Sequence, residues 1–511
     1  MKPHQKLRWL LPLALVGGAC TSILGIEDIH PGAKPGSGEG GEGASGGTGG
    51  GKGGASGTSG ASSGASGASS GASGKGGASG ASGASGQGGT AGDTGGAGGA
   101  GDMGGDGGTG GTTDPTVHGK VVTHLLQPIP NVIVHIGAAD ATTDSDGEFE
   151  ILDVAPQYDA TFTVTFEGSG GRNVYGWAYL GLTRRDPTLM VYDGLTNRSG
   201  SLHMTFGNIT PLGSTRNLTV SLGSPDGDYE YDGITSLPDY QPSSYWMGPA
   251  TSTATGHGLV WEMNANDLPT AYRAYDTQLV PLAETGTGNL TFDLVDAPQP
   301  ISSMNVSGTV TSSSSEGREN KVLARFTDHA SITLVDHYGT SLTDDFTYLA
   351  PNLTNGSITV IGIEEGSSGL ALAHKDNLAP GQSGIAIDIP DPPVLTAPSA
   401  GTVTPSTQFR WASSFSGFVL HIEDEDLYQG IYVVTSSKQV TLPVFEDGFA
   451  LRADAPHWWE VQTHGDPASV DDMAGPHGFA DAHGYYRNTN ASPPRDGSFT
   501  VSLSRGFNTA P

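Results

Sequence analysis

The feature that most limits how this 511-residue chain can fold is a glycine-rich segment near its N-terminus. Residues 32–111 contain 38 of the chain's 80 glycines, 13 alanines and 13 serines, and Met103 is their only large apolar residue. Such a composition buries too little apolar surface to offset the entropy that is lost on ordering. The sequence therefore predicts a disordered linker over residues 32–113 and excludes one uniform globular domain.

The residues that precede this linker have the layout of a secretory signal. Three basic side chains within residues 1–8 are followed by an apolar run over residues 9–16, and small residues stand directly before Cys20. The apolar run is much shorter than the roughly 20 residues that a helix needs to span a bilayer. Residues 1–19 are therefore predicted to be an export signal.

The sequence VGGAC, which ends at Cys20, resembles the lipobox of bacterial lipoproteins, although Gly17 stands where that family prefers Leu. The resemblance implies that Cys20 becomes the lipidated first residue of the mature chain, with residues 20–31 as its N-terminus. Membrane attachment through this lipid is then expected, with the protein exported to the outer membrane or cell surface. The stretch that follows Cys20 also resembles the start of lipoproteins from social soil bacteria.

Charge and cysteine content exclude several classes of protein. From residue 112 onward there are 17 basic and 46 acidic residues, a net charge of −29, and no run of Lys or Arg. An acidic chain repels phosphate backbones, so we expect no nucleic-acid partner. Cys20 is the only cysteine, which excludes an intrachain disulfide and a thiolate metal cluster.

Beyond the linker, short windows alternate between apolar and polar residues. Examples are residues 161–166, 202–206, 218–222, 290–294, 418–422 and 499–503, with Gly, Pro, Asn or Asp between them. This period of two is typical of half-buried strands, and no long helical periodicity competes with it. The sequence predicts an all-β chain of tandem antiparallel β-sandwich modules behind the disordered N-terminal linker.

The first predicted module, residues 114–192, resembles the carboxypeptidase regulatory-like domain, which is classed with starch-binding-like folds. The resemblance rests on VHGKVV from Val117, PIPNVIVHIG from Pro128, ATTDSDGEFEI from Ala141 and VAPQYDATFTV from Val154. It implies a seven-stranded sandwich, often non-catalytic and sometimes glycan-binding. From the residues alone, Asp146 and Gly147 predict a tight turn between two strands.

The last predicted module, residues 391–511, resembles a fibronectin type III or related immunoglobulin-like sandwich. QFRWASS places Trp411 where that fold buries a tryptophan, and a His- and Asp-rich insert precedes the final strand. Trp458 and Trp459 are adjacent, so one of them must face away from the core if they lie on a strand. Residues 193–390 show strands without a family resemblance, and they predict either one large sandwich or two small ones.

Calcium is the cofactor that one acidic segment suggests. DYEYDGITSLPD places oxygen-bearing side chains at the liganding positions of a twelve-residue calcium loop, with Gly233 at the sharp turn: Asp228, Glu230, Asp232, Ser236 and Asp239. Glu230 and Asp239 depart from the usual pattern, and flanking helices are not predicted. An acidic exposed turn is the alternative for this segment.

Two further groups suggest ligand binding. Aromatic side chains close to the acidic segment could stack on sugars if they are exposed, and the candidates are Tyr240, Tyr245 and Trp246. A second group, in and before the insert, consists of His457, His464, His477 and His483 with Asp466, Asp471, Asp472 and Asp481. This group has the residue types of a metal site without the HExxH spacing, so a solvated loop is its alternative.

These features favour a non-enzymatic lipoprotein that presents β-sandwich modules for carbohydrate binding or for protein adhesion and scaffolding. The expected partners are the membrane, through the lipid, and an extracellular polysaccharide or surface protein. The alternative is a secreted metal-dependent hydrolase with its site in residues 193–390 or in the His-rich insert, residues 457–483. No catalytic residue set is recognisable in the sequence.

The lipobox resemblance gives a direct prediction for Cys20. Mass spectrometry of the mature chain from the native host should find an N-terminus at residue 20 that carries acyl chains, because the lipidated cysteine becomes residue one. Cys20→Ser should give a soluble chain without acyl mass. An unmodified N-terminus at any other residue in the wild-type chain would contradict the prediction.

Overall fold

The computed structural model describes residues 115–511 except for 125, 169–170, 193–196, 211, 214, 225–227, 231, 235–238, 241–242, 248–249, 298, 314–316, 340, 466, 477–478 and 480–495. These residues belong to one compact unit. Several predictions fall outside them: the export signal, Cys20, the linker, Ser236, Asp466, His477, Asp481 and His483.

The first module is a sandwich of seven strands. They are β1 (Val117–Thr123), β2 (Ile133–Ile136), β3 (Ala139–Thr142), β4 (Glu148–Ile151), β5 (Tyr158–Gly168), β6 (Gly171–Leu182) and β7 (Thr188–Val191). The β4-β1-β7 sheet forms one layer and β6-β5-β2-β3 the other. The predicted turn between β3 and β4 is confirmed: Gly147 has a φ of +70°, and Asp144 Oδ1 accepts hydrogen bonds from the amides of Asp146 and Glu148.

The second module packs two sheets around the aromatic rings of Phe206, Phe292 and Trp246. Its strands are β8 (Asn197–Gly207), β9 (Arg216–Gly223), β10 (Asp228–Glu230), β11 (Asp232–Ile234), β12 (Asp239–Tyr240), β13 (Ser243–Met247), β14 (Thr251–Met263), β15 (Pro269–Ala283) and β16 (Thr287–Asp293). The sheet β10-β13-β8-β12, to which β16 adds by pairing with β8, faces the sheet β11-β9-β14-β15. The alternation predicted over residues 202–206, 218–222 and 290–294 corresponds to β8, β9 and β16.

The third module has seven strands, and its core around Phe326, Phe346 and Tyr348 also takes in Trp261 and Tyr272 of the second module. Its strands are β17 (Ser303–Thr311), β18 (Arg318–Phe326), β19 (Ser331–Gly339), β20 (Thr343–Pro351), β21 (Gly356–Gly366), β22 (Gly369–Leu378) and β23 (Ile385–Asp388). The layers are β20-β17-β23 and β19-β18-β21-β22. Residues 193–390, which the sequence left open between one sandwich and two, thus contain two pairs of sheets among their described residues.

The fourth module has nine strands and one short helix. They are β24 (Val394–Ala397), β25 (Thr402–Val403), β26 (Gln408–Ala412), β27 (Phe418–Asp424), β28 (Gln429–Thr435), β29 (Gln439–Thr441), β30 (Pro456–His464), α1 (Val470–Met473), β31 (Gly497–Ser502) and β32 (Arg505–Thr509). Trp411 is buried in the core, as predicted. Trp459 is also buried there, whereas Trp458 lies on the opposite face of β30 and is half-buried.

All four modules share one way of closing. An early strand pairs in parallel with the last strand of the same module: β1 with β7, β8 with β16, β17 with β23, and β25 with β32. Because two parallel strands run in the same direction, the chain enters each sandwich at one end and leaves it at the other. Most other pairings are antiparallel. The prediction of an all-β chain of sandwich modules is confirmed for the part of the chain that the structure describes.

The modules are joined through their sheets. β28 of the fourth module pairs in parallel with β6 of the first, and β31 pairs antiparallel with β22 of the third. The result is a fourteen-stranded sheet that includes strands from the third, fourth and first modules. These junctions cover strand edges that would otherwise expose unpaired backbone groups.

The insert of the fourth module also packs on the first. Val470, Met473, Ala474 and Phe479 are buried in the core of the first module. Asp471 is the polar contact of this junction: its carboxylate accepts hydrogen bonds from the Thr183 amide at 2.8 Å, the Arg184 amide at 3.1 Å and the Thr183 hydroxyl. The described part of the insert is therefore not a solvated loop but part of the junction.

These contacts predict that Asp471→Ala weakens the junction between the first and fourth modules. The substitution leaves donors of Thr183 and Arg184 without their acceptor, and we expect the unfolding free energy to fall by about 1–3 kcal/mol. Chemical denaturation of the full chain measures the change, and hydrogen exchange should report faster exchange in β6. The matched control is Asp140→Ala, which removes an exposed aspartate of the first module. Equal stability of the two variants would contradict the prediction.

Candidate functional site

The acidic segment that predicts calcium binding is folded as strands. Asp228 and Glu230 lie in β10 and Asp239 in β12, all in one sheet of the second module, whereas Asp232 lies in β11 of the opposite sheet. The segment therefore contributes strands to both sheets of the second module and does not form one compact twelve-residue loop. Calcium binding by Asp228, Glu230, Asp232, Ser236 and Asp239 stays a prediction.

The aromatic candidates differ in position. Tyr240 lies in β12 and Tyr245 in β13, on the two sides of β8. Trp246 is 2% exposed and belongs to the core of the second module. The expectation that Trp246 stacks on a ligand is therefore wrong, because its indole ring is enclosed by apolar neighbours. Ligand binding by Tyr240 and Tyr245 stays a prediction.

The described histidines of the His- and Asp-rich group do not converge. His457 and His464 are both buried on β30, but seven residues separate them, which puts their side chains on opposite faces of the strand. His457 stacks on Phe507 within the fourth module, and His464 hydrogen-bonds the Tyr192 hydroxyl of the first module. Among the described residues, no group of three or more His, Cys, Asp or Glu side chains could hold a metal ion.

The structure instead gathers polar side chains at the junctions between modules. At the junction of the second and third modules, Nδ1 of His257 on β14 is hydrogen-bonded to the Tyr275 hydroxyl at 2.9 Å. Nε2 of the same ring lies 2.7 Å from Asp328 Oδ2. Its ring stacks on Phe326 of the third module, with 3.9 Å between centroids. His257 is 4% exposed, whereas Tyr275 and Asp328 are half-buried.

The protonation states at this junction follow from its contacts. Partial burial alone would raise the pKa of Asp328, but the hydrogen bond and charge of His257 lower it, and the result is a pKa below the ordinary value. Burial raises the pKa of Tyr275, so its hydroxyl stays protonated. A neutral phenol is a poor nucleophile. The set holds the second and third modules together through the contact of His257 with Asp328.

The junction of the third and fourth modules has a second enclosed set. Asp376 on β22 accepts hydrogen bonds from Arg325 at 3.1 Å and from Thr359, and it contacts His374 Nδ1 at 2.9 Å. Burial opposes ionisation of Asp376, but His374 and Arg325 outweigh it and lower the pKa. Asp496, next to β31, accepts hydrogen bonds from the Asp376 amide and from Lys375. This polar set therefore spans the two modules.

The junction of the first and fourth modules is aromatic. Trp177 of β6 stacks on Tyr432 of β28 at 4.3 Å, and Tyr432 stacks on His421 of β27 at 4.1 Å. His421 lies between two carboxylates, with Nδ1 at 3.5 Å from Glu460 Oε1 and Nε2 at 3.6 Å from Glu423 Oε2. The stack runs from the first module into the fourth across the parallel β28–β6 pair.

Sequence reasoning missed His257, His374 and His421. Each lies on a strand among small or apolar residues, in TGHGLV, LALAHK and FVLHIE. A polar ring within an apolar strand was the available signal, because it needs a buried partner. The partner itself comes from a distant part of the chain.

Comparisons with known proteins give no family for this chain: no family model and no curated protein matches. Solved structures with a local likeness come from bacteria. The TIE protein of Bacillus anthracis aligns at 9% identity and a TM-score of 0.14, covering 54% of this chain and 51% of its own. Two B repeat units of the Staphylococcus aureus collagen-binding protein align at 10% identity and a TM-score of 0.12, covering 63% of this chain and all of theirs.

A third such structure is the major pilin subunit BcpA of Bacillus cereus, at 7% identity and a TM-score of 0.12, covering 55% of this chain and 99% of its own. The chain spans about half the length of the TIE protein. With TM-scores this low, the likeness carries no conclusion about what this chain binds. In the part of the chain that the structure describes, no helix is long and apolar enough to cross a membrane.

The junction of the second and third modules predicts the effect of Asp328→Asn. The change weakens the contact with His257, and we expect it to lower the unfolding free energy by about 1–3 kcal/mol at pH 7. Because the pKa of Asp328 is lowered in the folded chain, its stabilising effect exists above the ordinary aspartate pKa and is lost as the pH falls through the folded pKa. The difference between wild type and variant should therefore shrink on acidification.

Urea denaturation of the full chain at pH 7 and at about pH 3, below the ordinary aspartate pKa, measures both effects. Asp267→Asn is the matched control, because Asp267 lies in an exposed turn with a φ of +61° that Asn also tolerates. A difference that grows towards acid, or a variant as stable as wild type at pH 7, would refute the assignment of Asp328 as a junction residue.

Proposed function

We propose that this chain is a non-enzymatic surface lipoprotein that displays β-sandwich modules for carbohydrate binding or for protein adhesion and scaffolding. The observation that carries the proposal is the position of its polar clusters. The Tyr–His–Asp set around His257 and the Arg–His–Asp set around Asp376 have the residue types of catalytic sites, but both lie at junctions between modules, where His257, His374 and Asp376 are buried. The first set joins the second module to the third, and the second set meets Asp496 of the fourth module.

A joined set of modules suits display. Chain entry and exit at opposite ends of each sandwich, together with the fourteen-stranded sheet, give a body that holds its surfaces in a fixed arrangement. A binding surface on such a body loses little conformational freedom when it meets its ligand. This arrangement supports adhesion or scaffolding more directly than catalysis.

The proposed position of the body follows from the N-terminal sequence. Lipidation at Cys20 would attach the chain to the outer membrane or cell surface, and the linker over residues 32–113 would separate the modules from the lipid. A flexible Gly- and Ser-rich chain of this length has a root-mean-square span of about 50 Å. The net charge of −30 would keep neighbouring copies apart by repulsion.

Calcium is proposed as a stabilising ligand of the second module rather than as a catalytic ion. The acidic segment from Asp228 to Asp239 connects strands of both sheets, so a bound cation there would tie the two layers together. A bound calcium ion would make the second module more rigid and would not take part in a catalysed reaction.

A binding screen with the purified full chain tests the proposed function. We expect saturable binding to a polysaccharide on a glycan array or to a surface protein in a pull-down, with and without calcium, and no hydrolysis of ester, peptide or glycoside substrates. Heat-denatured protein is the control for non-specific adsorption. Chelator-sensitive turnover would instead support the alternative, a metal-dependent hydrolase. Absence of every ligand would overturn the binding role.

A further inference from the structure

One aromatic ring differs from the rest. Among the aromatic side chains that the structure describes, all are buried or half-buried except Tyr338, which is 71% exposed. Aromatic rings carry a large apolar surface, and a folded chain normally encloses it, as this chain does in its four cores. Tyr338 lies on β19, the last strand at one end of the fourteen-stranded sheet.

Polar side chains of both signs surround this ring on two neighbouring strands. Tyr338 is directly opposite Glu319 in the β18–β19 pair, and Asp336 is directly opposite Lys321. Because residues two apart on a strand share a face, these four side chains form a two-by-two array. Lys321 Nζ lies 2.9 Å from Glu319 Oε1.

The hydrogen bonds of the array hold the ring in place. Glu319 is hydrogen-bonded to Tyr338 and Lys321. Partial burial and the neighbouring carboxylates raise the pKa of Tyr338, so its hydroxyl stays protonated and donates to Glu319. A ring fixed at its hydroxyl end leaves its outer surface available, and a ligand that stacks on it does not have to immobilise it first.

We propose that Tyr338, with Glu319, Lys321 and Asp336, forms a stacking platform for a neutral, hydroxyl-rich polysaccharide. The proposal rests on the carbohydrate-binding role given above and assigns a site to it. A sugar ring presents a flat face of C–H groups that packs on the phenol ring, and its hydroxyls both donate and accept hydrogen bonds. The carboxylates accept, the Lys321 ammonium donates, and the array therefore matches hydroxyl groups in both directions.

Charge distinguishes this ligand from other polymers. The array carries two carboxylates against one ammonium, within a chain of net charge −30, so a polyanionic saccharide meets repulsion. A polycationic peptide would be attracted by the whole chain but would place its ammonium groups against Lys321. A neutral polysaccharide is repelled neither by the acidic chain nor by Lys321.

The test measures binding of cellohexaose, laminarihexaose and maltohexaose to the full chain by isothermal titration calorimetry. At least one neutral hexasaccharide should bind, and Tyr338→Ala should weaken its affinity by about tenfold, the effect of losing one aromatic stack. Tyr338→Phe keeps the ring and should stay within about threefold of wild type. Since Tyr338 is exposed, the thermal midpoint should not change on either substitution.

The matched control is Leu279→Ala, which removes another side chain that is 70% exposed, from the second module, and should leave affinity unchanged. If wild type binds a hexasaccharide and Tyr338→Ala binds it equally well, the platform is refuted while the carbohydrate-binding role stands. If wild type binds no neutral hexasaccharide, the platform is refuted, and the glycan array decides the wider role. If the wild type binds polygalacturonate or hexalysine instead of neutral sugars, and Tyr338→Ala loses that binding, the proposed ligand class, a neutral polysaccharide, is wrong.

Discussion

The parallel pairing of β28 with β6 is the contact on which the arrangement of this molecule depends. It joins the last module of the chain to the first, and it fixes the register at which Trp177, Tyr432 and His421 stack. Backbone hydrogen bonds give the direction, and the ring stack gives the apolar burial that makes the pairing favourable. The insert then completes the same junction by placing its apolar side chains in the core of the first module.

Sequence reasoning predicted the local elements well because their signals are local. Alternation in residues 202–206 requires only that one face of a strand be buried, and β8 bears this out. The same pattern over residues 418–422 gave the strand β27, but β27 is buried on both faces because Val419 packs in the core of the first module. Gly147 and Trp411 were predictable for the same reason. Gly147 provides the positive φ of its own hairpin turn, and Trp411 packs in the core of its own module. The reading of Trp246 failed because tyrosines close in sequence suggested a surface group, whereas its strand directs the indole into the core.

The junctions were beyond single-sequence reasoning for a physical reason. Thr183 and Asp471 are 288 residues apart, and His257 and Asp328 are 71 residues apart, so no window of the sequence contains both partners. The apolar residues Val470, Met473 and Phe479 were a local sign of burial in the insert, but the sequence prediction did not use them. These side chains are buried in the core of another module. Which core they enter depends on how whole sandwiches pack together, and the local periodicity of the sequence does not encode that packing.

The link between the first and fourth modules also determines how the body carries load. Residue 115, where the described chain begins, leads directly into β1 of the first module. A pull between that end and the fourth module is transmitted through the β28–β6 pair and the contacts of the insert. Along the covalent chain, the second and third modules lie between the first and the fourth. They bear little of the tension while the junction between the first and fourth modules holds. Under such a load, separation of this junction would transfer the tension to the second and third modules, whose remaining link to the fourth module is the β22–β31 pair.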